Sequence, residues 1–215
     1  MKKSLFLSAA VLASLALSTA FRPVTTVSEY VYSNNSQAAK VWTLDRGHSN
    51  VKFTVTHMVV SEVDGSFNKF EGKMESDAAD FSDAKVNFTV DVTSINTNSE
   101  NRDKHLKSDD FFNAETYPTM TFQSTSMKPV GGNKYQLSGN LTIRDITKPV
   151  VFEVTHLGNT TDRGRTKAGF KAKATINRFD YNLKWDRATE AGSLVVAKEV
   201  EININAAFVT QPAQQ

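Results

Sequence analysis

The feature that most constrains this chain is a period-two alternation of apolar and polar residues. It recurs in segment after segment from Val51 to Phe208. Successive side chains of a strand point to opposite faces, so such a run has one buried face and one wet face. Val51, Phe53, Val55 and His57 share a face against Lys52, Thr54 and Thr56. Val63, Gly65 and Phe67 follow, with Phe70 out of phase, and Asp64-Gly65 is either a turn or a bulge in a bent strand. Val86, Phe88, Val90 and Val92 alternate with Lys85, Asn87, Thr89 and Asp91. Met120 and Phe122 come next, and Gly131-Gly132-Asn133 marks a hairpin turn. Tyr135, Leu137, Gly139, Leu141 and Ile143 form another inward set, and Thr147-Lys148-Pro149 is expected to break the chain. Val150, Phe152, Val154 and His156 lead to a polar turn over Gly158 to Gly164. Ala168, Phe170, Ala172, Ala174 and Ile176 precede a long last strand, with Val196, Lys198, Val200, Ile202, Ile204, Ala206 and Phe208 on one face.

This amounts to about eight strands at hairpin-like spacings, an all-β pattern of antiparallel sheet. An open sheet of that size would leave edges and an apolar face exposed. Closure into a barrel removes both, while a two-sheet sandwich also satisfies the alternation. An eight-stranded barrel either packs its interior solid or holds one small ligand. The small inward residues Gly139, Ala168, Ala172, Ala174 and Ala206 leave room, but the pattern alone leaves the two fillings open. If a cavity exists, its expected walls are Phe53, Val55, Phe67, Phe88, Val90, Phe122 and Leu141 from the first half of the chain. From the second half come Phe152, Val154, Phe170, Ile202 and Ile204.

The ends of the chain carry different signals. Lys2 and Lys3, the apolar stretch Leu5 to Leu17 and Ser18-Thr19-Ala20 form a signal-peptide pattern, with cleavage expected after Ala20 and a periplasmic or secreted destination. The apolar stretch is too short for a membrane span. Residues 21–40 are polar and read as a flexible leader, so the domain occupies 41–210. Without Lys2 and Lys3 the 25 basic residues fall to 23, equal to the 23 acidic ones. This balance gives no footprint for nucleic acid. Zero cysteines leave stability to the core alone.

One segment departs from the strand pattern: Thr97 to Phe112, which reads as a short polar helix near 98–110. Thr97-x-x-Glu100 has the form of a capping box, and Asp103 and Lys107 form an acid-first pair one turn apart. Leu106, Phe111 and Phe112 would pin it across the barrel. Arg102, Asp103 and His105 lie close enough for acid–base chemistry, but no nucleophile or metal partner is in view, so Arg102, Asp103, His105 and Leu106 read as a structural clasp. His57 and His156 end the echoed runs Phe53-x-Val55-Thr56-His57 and Phe152-x-Val154-Thr155-His156. They are either satisfied strand-end histidines or polar contacts for a ligand headgroup at one end of a cavity. No close-spaced metal-ligand pair, P-loop or nucleophile elbow is present, and no cofactor is implied. Trp42 and Trp185 read as packing residues, and Lys167, Lys171 and Lys173 as a solvated face.

Several separated motifs resemble the YceI-like family: Trp42-Thr43-Leu44-Asp45 with His48-Ser49-x-Val51-x-Phe53; Val63-x-Gly65-x-Phe67; Ser94-Ile95-x-Thr97; Arg102-Asp103-x-His105-Leu106 leading to Asp110-Phe111-Phe112; Tyr117-Pro118-x-Met120-x-Phe122; and Gly139-x-Leu141-Thr142-Ile143 with Thr147-Lys148-Pro149-Val150. Arg144-Asp145-Ile146 departs from the glycine many members carry in that turn. The resemblance implies a lipocalin-like antiparallel β-barrel with one short α-helix packed beside it. It also implies an elongated apolar cavity for a polyisoprenoid or fatty-acid-like lipid, and binding rather than catalysis. Two alternatives remain at this level: an enzyme acting on a lipid headgroup through Arg102, Asp103 and His105, and a solid-cored envelope interaction module. A homodimer is neither required nor excluded.

Overall fold

The computed structural model describes residues 39–190, 192 and 194–210 of the 215. The expected signal peptide and nearly all of the leader lie outside these residues. Eleven strands and one helix follow in order: β1 Val41–Leu44, β2 Asn50–His57, β3 Ser61–Phe67, β4 Phe70–Glu75, β5 Lys85–Asp91, β6 Ile95–Asn96, α1 Glu100–Lys107, β7 Thr119–Gly131, β8 Lys134–Ile143, β9 Ile146–Asp162, β10 Arg165–Asn177 and β11 Val196–Thr210.

Every pairing is antiparallel. The order β1-β4-β5-β7-β8-β9-β10-β11 closes on itself through β1–β11, giving a closed eight-stranded barrel. β2, β3 and β6 belong to the same ring: β2 continues along β11 beyond β1, β3 lies beside β2, and β6 beside the end of β3. The eleven strands are eight ribbons, three of them interrupted. β1 and β2 are separated by a single tight turn, Arg46–His48. The Asp45-x-x-His48-Ser49 motif builds that turn. Ser49 Oγ donates to Asp45 O at 2.7 Å and accepts from Ala207 N at 3.0 Å, while Asp45 N donates to Ala207 O at 2.8 Å. The chain therefore leaves one ladder position of β11 and rejoins it further on. The gap between β5 and β6 is tied to the β3–β4 bend, where Asn68 N donates to Ser94 O at 3.1 Å.

Several expected boundaries move. β2 and β3 pair in unbroken register from Val51↔Phe67 to His57↔Ser61, so Asp64-Gly65 is neither turn nor bulge and the reversal falls at 58–60. Thr147-Lys148-Pro149 does not break the chain. The turn is Arg144-Asp145, with Arg144 at φ 57°, and β9 runs through Pro149. Proline is tolerated there because β9 has a partner on one side alone: its pairing with β10 reaches no further than Glu153. β9 likewise continues beyond Gly158 through a bulge to Asp162, which shortens the polar turn to Arg163-Gly164. In β11 the register with β2 shifts between Val196 and Val200, and Lys198 is exposed.

One end of the barrel is closed by a loop. Phe81, 2% exposed, stands edge-on to Trp42, Phe170 and His156 at 5.1–5.2 Å between ring centres. Asp83 holds this loop by accepting from Ser76 Oγ, Asp77 N and Ala78 N. Burial pushes the Asp83 carboxyl up, but these hydrogen bonds outweigh it and hold the group below its ordinary range. Tyr135 Oη donates to Asp80 O at 2.7 Å, fastening the loop to β8.

Candidate functional site

The barrel is hollow. Its interior holds a cavity of about 190 Å³, lined along β11 from Val196 to Phe208. Those twelve steps span about 40 Å of strand contour at roughly 3.3 Å per residue, or about 30 Å of barrel axis at a usual tilt of about 40°. The apolar lining therefore extends over much of the length of the barrel. Among its lining residues, Lys52, Thr121 and Arg178 alone bring polar side chains.

Glycines keep it open. The Phe53 ring lies where a Cβ of its cross-strand partner Gly65 would stand, and Phe88 covers its partner Gly72 in the same way. Phe122 lies across Gly139, two residues along β8 from its partner Leu141. Each ring rests flat on a neighbouring strand instead of filling the centre.

The cavity wall includes Phe53, Val55, Phe67, Phe88, Val90, Phe122 and Leu141, and likewise Phe152, Val154, Phe170, Ile202 and Ile204. The two histidines do not reach it, and they do not meet. His57 pairs with Val196 at the start of β11, whereas His156 pairs with Phe170, itself opposite Ala206. They thus stand near opposite ends of the barrel, which corrects the expectation of a shared polar contact. His156 stacks on Phe170 and reaches Asn159 Oδ1 at 2.8 Å within β9, so its ring is already partnered.

The second end is covered by α1, the turns after it and the stretch from Arg178 to Trp185. Leu106, Phe111, Phe112 and Leu183 all face the cavity. The capping box is not formed. The residue before α1 is Ser99, without a side-chain cap, and Thr97 instead donates from N (2.9 Å) and Oγ1 (2.6 Å) to Asp103 Oδ1. Asp103 is thereby directed at Thr97, and no ion pair with Lys107 is formed. Arg102 grips the same residue, Nε to Thr97 Oγ1 at 2.8 Å and Nη2 to Thr97 O at 2.7 Å. His105 turns elsewhere: its Nε2 meets Asp110 Oδ2 at 2.8 Å and its ring stands edge-on to Phe111 and Trp185. Arg102, Asp103 and His105 therefore share no reacting centre. Among the described residues no group of three or more metal-ligating side chains occurs.

Two arginines whose roles sequence reasoning did not find hold this cover in place. Arg178, 3% exposed, donates to four carbonyls: Nε to Ala197, Nη1 to Leu183 and Trp185, and Nη2 to Val196, at 2.7–3.0 Å. Burial lowers its pKa and Asp186 partly opposes that. Arg144 reaches Asp109, Phe111 and Asn182. No local spacing announces either role, because the acceptors are backbone carbonyls, with one distant carboxylate, Asp109, for Arg144.

Residues 42–208 match the model of the YceI-like domain family. The chain belongs to the YceI-like family. A UPF0312 protein of Staphylococcus aureus is 38% identical over 170 residues, covering 78% of this chain and 96% of its own. The crystal structure of Burkholderia cenocepacia BcnA aligns with a TM-score of 0.64 at 28% identity, covering 78% of this chain and 99% of that one. A polyisoprenoid binding domain from Saccharophagus degradans shares the fold with a TM-score of 0.58 at 19% identity, covering 79% of this chain and 98% of its own.

Proposed function

We propose that this YceI-like protein binds a long-chain isoprenoid or similar single-chain amphiphile in its barrel, without altering it chemically. The observation that carries the reading is the cavity: an interior void whose lining runs along β11 from Val196 to Phe208 and is almost wholly apolar. Burying each CH₂ contributes about 0.8 kcal/mol, so a long chain binds tightly with few polar contacts. A neighbour of this fold is itself described as a polyisoprenoid binding domain, in keeping with a long apolar guest. Arg102, Asp103 and His105 are occupied with holding the cover, which favours binding over headgroup chemistry. The cavity also speaks against a solid-cored module. The N-terminal signal pattern supports export and action outside the cytoplasm. Organic extraction of the exported protein, followed by mass spectrometry, tests this. About one equivalent of a long-chain lipid, with a mature chain starting at Phe21, is the expected result. A protein that is empty and refuses long-chain lipids in vitro overturns the reading.

A further inference from the structure

We infer that the β2–β3 turn, Met58-Val59-Val60, inserts into a lipid surface and passes the guest between that surface and the cavity; this rests on the lipid-binding reading above. The three side chains are 49%, 68% and 87% exposed. They stand consecutively, whereas Val41, Val130, Val151 and Leu157, the other exposed large apolar residues among those described, are scattered singly. The backbone beneath them is unfavourable. Met58 and Val59 have φ of 52° and 70°, a region that suits glycine or asparagine and is an outlier for a β-branched residue. Elsewhere such positions are taken by glycine (Gly131, Gly132, Gly164), asparagine (Asn98, Asn113, Asn182), Phe81, Arg144 and Arg163, and Val59 is the one β-branched residue among those described. A strained turn presenting three apolar groups to water gains the fold nothing.

Its place supplies the reason. Met58 N donates to Val195 O at 2.8 Å, and Val55, Val196 and Val200 beside it already line the cavity. The turn therefore stands just beyond the end of the cavity's apolar wall, with His57 between them. β6 pairs with Ser66 and Phe67 alone, so the outer edge of β3 from Ser61 to Gly65 has no strand beside it and the tip of the β2–β3 hairpin is held by β11 on one side only. Three side chains offer on the order of a few hundred Å², well under the ~800 Å² a side of a stable protein interface. A bilayer needs no such area or matching shape. Glu62, Lys198 and Glu199 nearby are of mixed sign, so a zwitterionic surface suffices and salt has little effect.

The test uses phosphatidylcholine vesicles carrying a fluorescent long-chain lipid. The wild-type protein is compared with a variant combining Met58→Asn, Val59→Gly and Val60→Thr. Asparagine and glycine suit the turn, so the variant should melt at the same temperature or higher. The expected result is that wild type floats with the vesicles and the variant does not. The variant's uptake should slow at least tenfold, with the same amount of lipid bound at equilibrium. Equal uptake rates, no vesicle binding by wild type, or a wild-type dimer that the variant abolishes would each overturn the inference while leaving lipid binding intact. Failure of both proteins to take up lipid overturns the binding reading and this one together.

Discussion

The Phe53 ring occupies the space above Gly65, its direct partner across the β2–β3 ladder, and a Cβ on Gly65 would collide with that ring. Gly65→Ala therefore pushes Phe53 off the wall into the cavity. The variant should fold with a loss of about 1–3 kcal/mol, as overpacked sites do, and hold less lipid. Denaturant titration and the lipid-to-protein ratio measure both. Full lipid occupancy in a Gly65→Ala protein would show that the ring's position does not set the cavity's width.

Ala172 offers the converse experiment. It faces the cavity from β10 and is half-buried. Ala172→Phe fills empty space, so it should cost little stability or add some, while reducing affinity for a long chain at least tenfold. Thermal melting separates this outcome from unfolding. A solid core would have shown the reverse: a large stability loss and no binding to lose.

The strands were legible because each carries its burial in every second residue, and inward residues such as Phe152, Val154 and Phe170 could be named from phase alone. Whether they met across a void could not, since alternation records direction and says nothing of distance. The loop that closes one end was hidden for a different reason. Phe81 is a lone aromatic between polar residues, without periodicity, and its burial depends on Asp83 and Tyr135 folding the loop inward. Pro149 misled because a local breaker is harmless on a strand with one free side. His57 and His156 echo each other in sequence, yet β2 and β9 meet the ladder at different heights, and register is set by pairing partners far along the chain.

Tyr181, 2% exposed, gives the fold an alkaline limit. Burial, with the nearby Asp180 adding to it, pushes its phenol up to about 12. The folded state thus keeps the proton more tightly than the unfolded chain, whose tyrosine titrates near 10. Its contribution is full below about pH 10 and is lost as pH rises toward 12, on the order of 2–3 kcal/mol in all. Tyr181→Phe has no proton to lose. The difference in denaturant midpoint between wild type and variant should move in the variant's favour between pH 10 and 12, and a difference that stays constant across this range would refute the assignment.

Arg178 joins two segments that are otherwise separate in sequence, Leu183 and Trp185 on the cover and Val196 and Ala197 on β11. Its four bonds need the planar fork of a guanidinium, and no carboxylate among the described residues forms an ion pair with it. Lysine keeps the charge but, as a compact ammonium, cannot serve carbonyls lying on several sides of a plane. Arg178→Lys should therefore cost about 3 kcal/mol, the range for stranding buried polar groups. Because the bonds join the cover to the barrel, amide exchange should quicken first at Leu183, Trp185 and Ala197, before the closed end around Phe81 responds. Uniform acceleration through both ends would instead mean that Arg178 supports the barrel as a whole and that the cover has no stability of its own.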